Sequence, residues 1–203
     1  VPSWLTFTAS TGVLTGTPTN DNVGTTGNAV VLTITDAAGE SVTDSFTITV
    51  ANTNDAPSFS SSPVLTAQED DVYTYTAVGT DMDAGDTFTL GSSSVPSWLT
   101  FTASTGVLTG TPTNSDVGSH SVTLTVTDAA GATGTQTFTI TVSNANDAPT
   151  VTSTAVTSAT EDSVYTYTLT ASDADVGDTL TMAGTTVPSW LTFTASTGVL
   201  TGT

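Results

Sequence analysis

A string of 20 residues, VPSWLTFTASTGVLTGTPTN, occupies Val1–Asn20 and returns unchanged at Val95–Asn114; it starts a third time at Val187 and runs to Thr203. Other landmarks keep step: TDAAG at Thr35 and Thr127, SFTITV or TFTITV at Ser45 and Thr137, NDAP at Asn54 and Asn146, VYTYT at Val72 and Val164. The spacing is 92 residues for these pairs and 94 for the first VPSW pair, because the Asp21–Asn28 loop is two residues longer. Near-identity at a fixed period restricts the chain to a tandem array of one folding unit. One complete repeat spans residues 56–147, preceded by the C-terminal part of a repeat (1–55) and followed by the N-terminal part of the next (148–203). Both chain ends then fall inside a repeat, so the chain is expected to be a stretch of a longer array, with any export signal outside it.

Each repeat reads as all-β. Thr supplies 51 of the 203 residues, and β-branched side chains favour pleated, half-buried strands. The complete repeat contains about seven short strands, near Ser58–Thr66, Val72–Gly79, Thr87–Gly91, Leu99–Thr102, Val107–Gly110, His120–Thr127 and Gln136–Val142. Apolar residues alternate in Val122-Leu124-Val126 and Phe138-Ile140-Val142. Seven such strands in this length predict a Greek-key, immunoglobulin-like β-sandwich.

The charge pattern removes whole classes of function. The chain has no Lys, no Arg, one His and 19 carboxylates. Phosphate backbones and anionic lipid heads require basic side chains, so nucleic acid and direct membrane insertion are excluded as partners. No apolar stretch reaches spanning length, and the absence of Cys excludes a disulfide framework. Mutual repulsion among the carboxylates has no counter-charge from the protein, which directs attention to a metal.

Following the strands places the acidic residues at the two poles of a sandwich. The linker Asn54-Asp55-Ala56-Pro57 stands at one pole; Glu69 follows after an extended path of up to about 40 Å and reaches the other. The return strand delivers Asp81 and Asp83, and a later one ends at Asp128. Asp81, Asp83 and Asp128 are therefore expected to meet Asn52, Asn54 and Asp55. Glu69, with Asp70 and Asp71 as further candidates, is expected to meet Asn144, Asn146 and Asp147 together with Asp173 and Asp175. Oxygen donors without nitrogen or sulfur select a hard cation, and Ca²⁺ tolerates irregular shells. The alternative is that these loops are solvated turn formers.

Across the whole chain, PSWLTF at Pro96–Phe101, GTPT at Gly110–Thr113, TDAAG at Thr127–Gly131, NDAP at Asn146–Pro149 and DADVGD at Asp173–Asp178 resemble the cadherin superfamily, more closely the bacterial and dystroglycan-type cadherin-like repeats of large surface adhesins. The resemblance implies calcium held between successive repeats. It carries the linker Asn-Asp onto Asn54-Asp55 and Asn146-Asp147, the basal Glu onto Glu69 and Glu161, the paired Asp onto Asp81/Asp83 and Asp173/Asp175, and the late Asp onto Asp36 and Asp128. Two departures predict fewer or weaker ions: the linker opens on Asn52 and Asn144 where the family has Asp, and uncharged Leu108–Thr111 stands in place of the acidic DRE loop. Affinity of about 10⁻⁴–10⁻³ M is expected for an extracellular module of this type.

The functional expectation is mechanical. The chain is read as an extracellular, secreted or cell-surface structural repeat, the stalk of an adhesin or the shaft of a filament or sheath, stiffened by calcium and contacting neighbouring repeats of the same chain. The rival reading is a cell–cell or carbohydrate-binding module acting through the repeat faces, with identical chains or a surface glycan or protein receptor as partner. Catalysis is not expected. Paired Asp residues recur at every junction without a cleft or a basic residue to tune them. Trp4, Trp98 and Trp190 are read as core plugs, Tyr73 and Tyr75 as packing, and His120 as a surface residue without a counterpart in the first repeat.

Overall fold

The computed structural model describes all 203 residues, Val1–Thr203, and apart from two 3-10 turns its regular structure is entirely strand. No helix is long and apolar enough to cross a membrane. Residues 1–55 form β1 (Leu5–Thr8), β2 (Val13–Gly16), β3 (Ala29–Thr35) and β4 (Ser41–Thr47). Residues 56–147 form β5 (Ser58–Phe59), β6 (Thr66–Gln68), β7 (Tyr73–Thr76), β8 (Gly79–Thr80) and β9 (Phe88–Ser94). They continue with β10 (Leu99–Thr102), β11 (Val107–Gly110), β12 (Gly118–Asp128) and β13 (Thr133–Ser143). Residues 148–203 form β14 (Thr150–Val151), β15 (Tyr165–Thr168), β16 (Ala171–Ser172), β17 (Leu191–Thr194) and β18 (Val199–Gly202).

Two compact units divide the chain. The first comprises Val1–Val64, Thr74–Thr109 and Ser121–Phe138. In it β1 pairs with β2, β3 with β4, and β9 with β12, all antiparallel, with a bulge beside Thr123/Leu124. The β10-β11-β7 sheet faces the β13-β12-β9 part of a second sheet. Tyr75 of the former meets Phe138 of the latter edge-on, with centroids 5.7 Å apart and planes at 83°. Around this pair Leu99, Leu108, Val122, Leu124 and Val126 are buried, every second residue of β12 pointing inward as period-two alternation requires. The Tyr75 hydroxyl bonds Ser61 Oγ (2.7 Å) and Gln136 Oε1 (2.8 Å), so its burial leaves no polar atom unmet. This is a cadherin-like or immunoglobulin-like sandwich.

The second unit comprises Leu65–Tyr73, Gly110–His120 and Thr139–Thr203. Here β6 runs parallel to β13 (Thr66↔Thr141 to Gln68↔Ser143), β14 pairs with β16, and β18 lies between β15 and β17.

Two expected strands are broken. Ser58–Thr66 is two pieces, β5 and β6, joined by a segment containing Pro63, whose missing N–H cannot sustain a ladder. β5 pairs with β8, whereas β6 pairs with β13, so the segment changes sheets at the proline. Val72–Gly79 is likewise split into β7 and β8. Between them the Ala77 N–H turns to the Gly106 carbonyl (2.8 Å). Gly106 has φ +71°, and a Cβ there would stand 2.3 Å from the Ala77 carbonyl oxygen, so only glycine fits.

The 3-10 turn Asn114–Asp116 carries a capping box. Thr113 donates its N–H (2.9 Å) and its hydroxyl (2.8 Å) to Asp116 Oδ2; in the first repeat Asn22 Oδ1 accepts the same pair from Thr19 (2.9 and 3.2 Å). The Thr113 backbone N–H, then its hydroxyl, hold Asp116 below the ordinary carboxylate range, with His120 adding to the effect and burial opposing it. Asp116→Ala is expected to cost about 1 kcal/mol, and Asp116→Asn little at neutral pH. Because the folded carboxyl is the stronger acid, its contribution is present above the unfolded value and is lost as pH falls through the folded one. Wild type should therefore lose stability relative to Asp116→Asn below about pH 4, read as denaturation midpoints of the two proteins against pH.

Candidate metal centre

The loop between β8 and β9 gathers the first acidic group. The Asp83 N–H donates to Asp81 Oδ1 (2.9 Å) and the Asp86 N–H to the Asp83 carbonyl (3.1 Å), so the loop is coiled on its own carboxylates. The linker docks on it: the Asp55 N–H donates to Asp83 Oδ2 (2.8 Å), and Asn54 Nδ2 to Asp128 Oδ2 (2.8 Å). Asp128 closes the β12–β13 turn through Oδ1, which accepts from the Ala132 N–H (2.8 Å). The Asn54 amide foremost, with the backbone N–H groups of Ala132, Gly131 and Ala130, keeps Asp128 below the ordinary carboxylate range against the opposing effect of burial. Carboxylate oxygens of Asp81, Asp86 and Asp128 lie within 4.8 Å of one another.

The second group repeats this frame and adds Glu69. The Asp175 N–H donates to Asp173 Oδ1 (3.1 Å) and the Asp147 N–H to Asp175 Oδ2 (2.8 Å). Glu69, only 1% exposed, follows β6 and accepts the Ala145 N–H on Oε1 (2.7 Å). Asn144 donates Nδ2 to Asp175 Oδ1 (2.9 Å). Oxygens of Glu69, Asp147 and Asp175 lie within 4.8 Å of one another, as do those of Asp173, Asp175 and Asp178.

Thus Asn54, Asp55, Asp81, Asp83 and Asp128 are brought together in the first unit, and Glu69, Asn144, Asp147, Asp173 and Asp175 in the second. Asn52 is exposed. Asn146 turns its amide to the Asp147 carbonyl (2.7 Å). Asp36 is exposed and spends Oδ1 on the N–H groups of Ala38 and Glu40; Glu161 is exposed beside Trp190 and joins no acidic group. Asp70 and Asp71 face solvent, Asp70 in the left-handed region at φ 63°. Sequence reasoning missed four residues. Asn20 Nδ2 reaches Asp55 Oδ2 (2.7 Å) and Asn114 Nδ2 reaches Asp175 Oδ1 (3.3 Å), both from the 3-10 turns after GTPT; Asp86 and Asp178 were hidden by loop curvature.

The donor set fits a hard cation on a specific observation. Glu69 Oε2, Asp81 Oδ2 and Asp83 Oδ1 are buried without a hydrogen-bond partner, although Asp83 is only 6% exposed and Glu69 almost fully enclosed. Burying a carboxylate oxygen with neither donor nor counter-charge is costly, and no Lys or Arg exists to supply one. A divalent cation coordinated by these oxygens removes that cost.

The expectations for Trp190 and His120 need correction. Trp4 and Trp98 are half-buried, and Trp190 is 46% exposed and stands edge-on to Tyr165 at 5.9 Å. Tyr73 and Tyr75 are buried packing residues. His120 is half-buried, its Nε2 at 2.6 Å from the Asp116 carbonyl, and its counterpart is Asn28, one period earlier, which bonds the Asn22 carbonyl (2.6 Å) and accepts from Trp4 Nε1 (2.9 Å).

Fold and site together define a class: tandem immunoglobulin-like sandwiches whose acidic residues collect at the linkers. Residues 1–51, 56–143 and 148–203 each match the family described as "Putative Ig domain", and the chain belongs to that family. Over 137 residues, 64% of the chain, it is 32% identical to the "Serine-rich adhesin for platelets" of Staphylococcus aureus, of whose length the alignment covers 5%. Cadherin domains 1–4 of protocadherin gamma B7 share the fold, with a TM-score of 0.58 and 17% identity over 97% of this chain and 54% of that one. A family-107 endo-fucoidan hydrolase aligns over the whole chain and 33% of its own at 26% identity, but its TM-score of 0.40 is too low to carry an argument.

Proposed function

We propose that this chain is a run of extracellular structural repeats, divided at 1–55, 56–147 and 148–203, that forms the stalk of a surface adhesin or the shaft of a surface filament, with Ca²⁺ stiffening the linkers. The carrying observation is the set of buried, partnerless carboxylate oxygens on Glu69, Asp81 and Asp83 in a chain without Lys or Arg. Glu69, Asn144, Asp147, Asp173 and Asp175 would hold the ion at one linker, and Asn54, Asp55, Asp81, Asp83 and Asp128 at the other. An amide that now donates Nδ2 offers Oδ1 once turned about its last bond. The bound ion supplies charge neutralisation and a fixed set of directions, so the linker loses its freedom to swing.

The similarity to a protein named as an adhesin supports a surface location and a structural role. Labels placed in residues 1–55 and 148–203 and read by single-molecule energy transfer should give one narrow distance distribution in saturating calcium and a broad one in chelator. Identical distributions in both conditions would rule out stiffening by calcium.

One observation favours the face-binding alternative. The outer face of β12 and β13 is uncharged and hydroxyl-lined, with Thr123 and Thr137 Oγ1 3.2 Å apart and Thr127 and Thr133 Oγ1 3.3 Å apart. Such a face suits lateral contact with another chain or with a neutral glycan, and binding by glycan arrays or filament growth in the absence of calcium would support that role.

A further inference from the structure

The two part-repeats are complementary halves. Residues 1–55 carry the sequence counterparts of β10 to β13 but none of β5 to β9, and residues 148–203 carry those of β5 to β11 but none of β12 and β13. Each therefore leaves open a face that the other half covers in the complete repeat. On β3 and β4, Ile34 is 74% exposed where Val126 is fully buried, and Phe46 is exposed where Phe138 is buried. In residues 148–203 a cavity of about 470 Å³ opens among Val151, Leu169, Leu180 and Met182. Residues 180–186 form no strand, although their counterparts make β9 by pairing with β12.

We propose that β3 and β4 of one copy of this chain pack on residues 148–186 of a second copy, completing one sandwich from two chains and joining copies head to tail. The repeat period fixes the register. Leu32 and Ile34 take the places of Leu124 and Val126, opposite Gly184 and Met182, so the unpaired segment gains the ladder that makes β9 in the complete repeat. Phe46 then reaches Tyr167 as Phe138 reaches Tyr75. Trp190 gains Asn28, the partner that Trp4 holds in the free chain. β17 and β18 already occupy the place beside β15, so β1 and β2 of the incoming copy are displaced, one identical hairpin yielding to another. An unpaired edge beside an open apolar face is a template for a strand from another chain. Exchange of an identical element between copies is a low-cost route to association.

Two positions set how tightly the halves close. Gly134 lies so near Pro57 that a Cβ there would stand 2.1 Å from the Pro57 carbonyl oxygen. Val42 replaces that glycine and Pro149 is the counterpart of Pro57, so the start of β4 must lift from the seam. Gln136 accepts from the Tyr75 hydroxyl and donates to the Ser61 carbonyl, each at 2.8 Å. Its counterpart Asp44 accepts from Tyr167 but has no proton for the Ser153 carbonyl. The charge of −19 on each copy also opposes contact, so association strengthens as salt screens it.

Sedimentation equilibrium of the 203-residue chain, at a fixed calcium concentration and in low and high salt, tests this with three proteins. Wild type should associate reversibly, and more tightly in high salt. Ile34→Asp, at a site exposed in the free chain, should stay monomeric with an unchanged circular dichroism spectrum. Val42→Gly/Asp44→Gln should associate about tenfold more tightly than wild type, since both changes restore residues of the complete repeat. A wild type that stays monomeric up to millimolar concentration would overturn the head-to-tail contact. So would association undiminished by Ile34→Asp, or a Val42→Gly/Asp44→Gln protein no tighter than wild type.

Discussion

Replacing Glu69 by glutamine is expected to change sign with calcium. In saturating calcium the variant should melt on the order of 10 °C lower than wild type, because an ion present at a hundred times its dissociation constant contributes about 2.7 kcal/mol of stability that a neutral amide fails to retain. In chelator the variant should be as stable as wild type or more so. Gln keeps an Oε1 to accept the Ala145 N–H and removes an enclosed negative charge whose second oxygen has no partner. Differential scanning calorimetry of both proteins in both conditions reads the effect directly. Equal destabilisation with and without calcium would mean that Glu69 acts only as a packing or hydrogen-bonding residue.

Leu124→Ala should be the most damaging core substitution, at about 3 kcal/mol within the usual range of 2–5 for a fully enclosed leucine. Leu124 is completely buried between Val122 and Val126 on β12, and the side chains facing it come from strands pinned by antiparallel ladders, which limits collapse into the cavity. The loss should be the same in calcium and in chelator, since an apolar core side chain shares no partner with the acidic groups. Urea denaturation followed by circular dichroism measures it, and a loss below about 1 kcal/mol would show the site repacking freely.

Much of this architecture was legible because short strands with alternating residues announce themselves. Leu99–Thr102 and Val107–Gly110 form where the alternation places them, and β12 and β13 only extend beyond their expected ends. What alternation cannot carry is curvature. Strand alternation alone would aim Asp81 and Asp83 the same way, whereas the Asp83 N–H folds back on Asp81 and Gly85 at φ 90° turns the chain again. That turn brings Asp86 into the group, and no period-two argument can find it. Asn20 and Asn114 were missed for a related reason: a 3-10 turn aims a side chain back along the path just traversed, while sequence reading follows the chain onward. His120 hid because its role belongs to a slot, filled by Asn28 one period earlier, and the two residues share hydrogen-bonding capacity more than appearance.

The most direct test is anomalous diffraction from crystals grown in calcium. Peaks should stand among Glu69, Asp147 and Asp175 and among Asp81, Asp83 and Asp128, each within about 2.3–2.6 Å of carboxylate oxygens. A well-resolved map without peaks at either place, with the carboxylates turned out into water, would contradict the idea that a metal ion is what makes this crowding of negative charge tolerable.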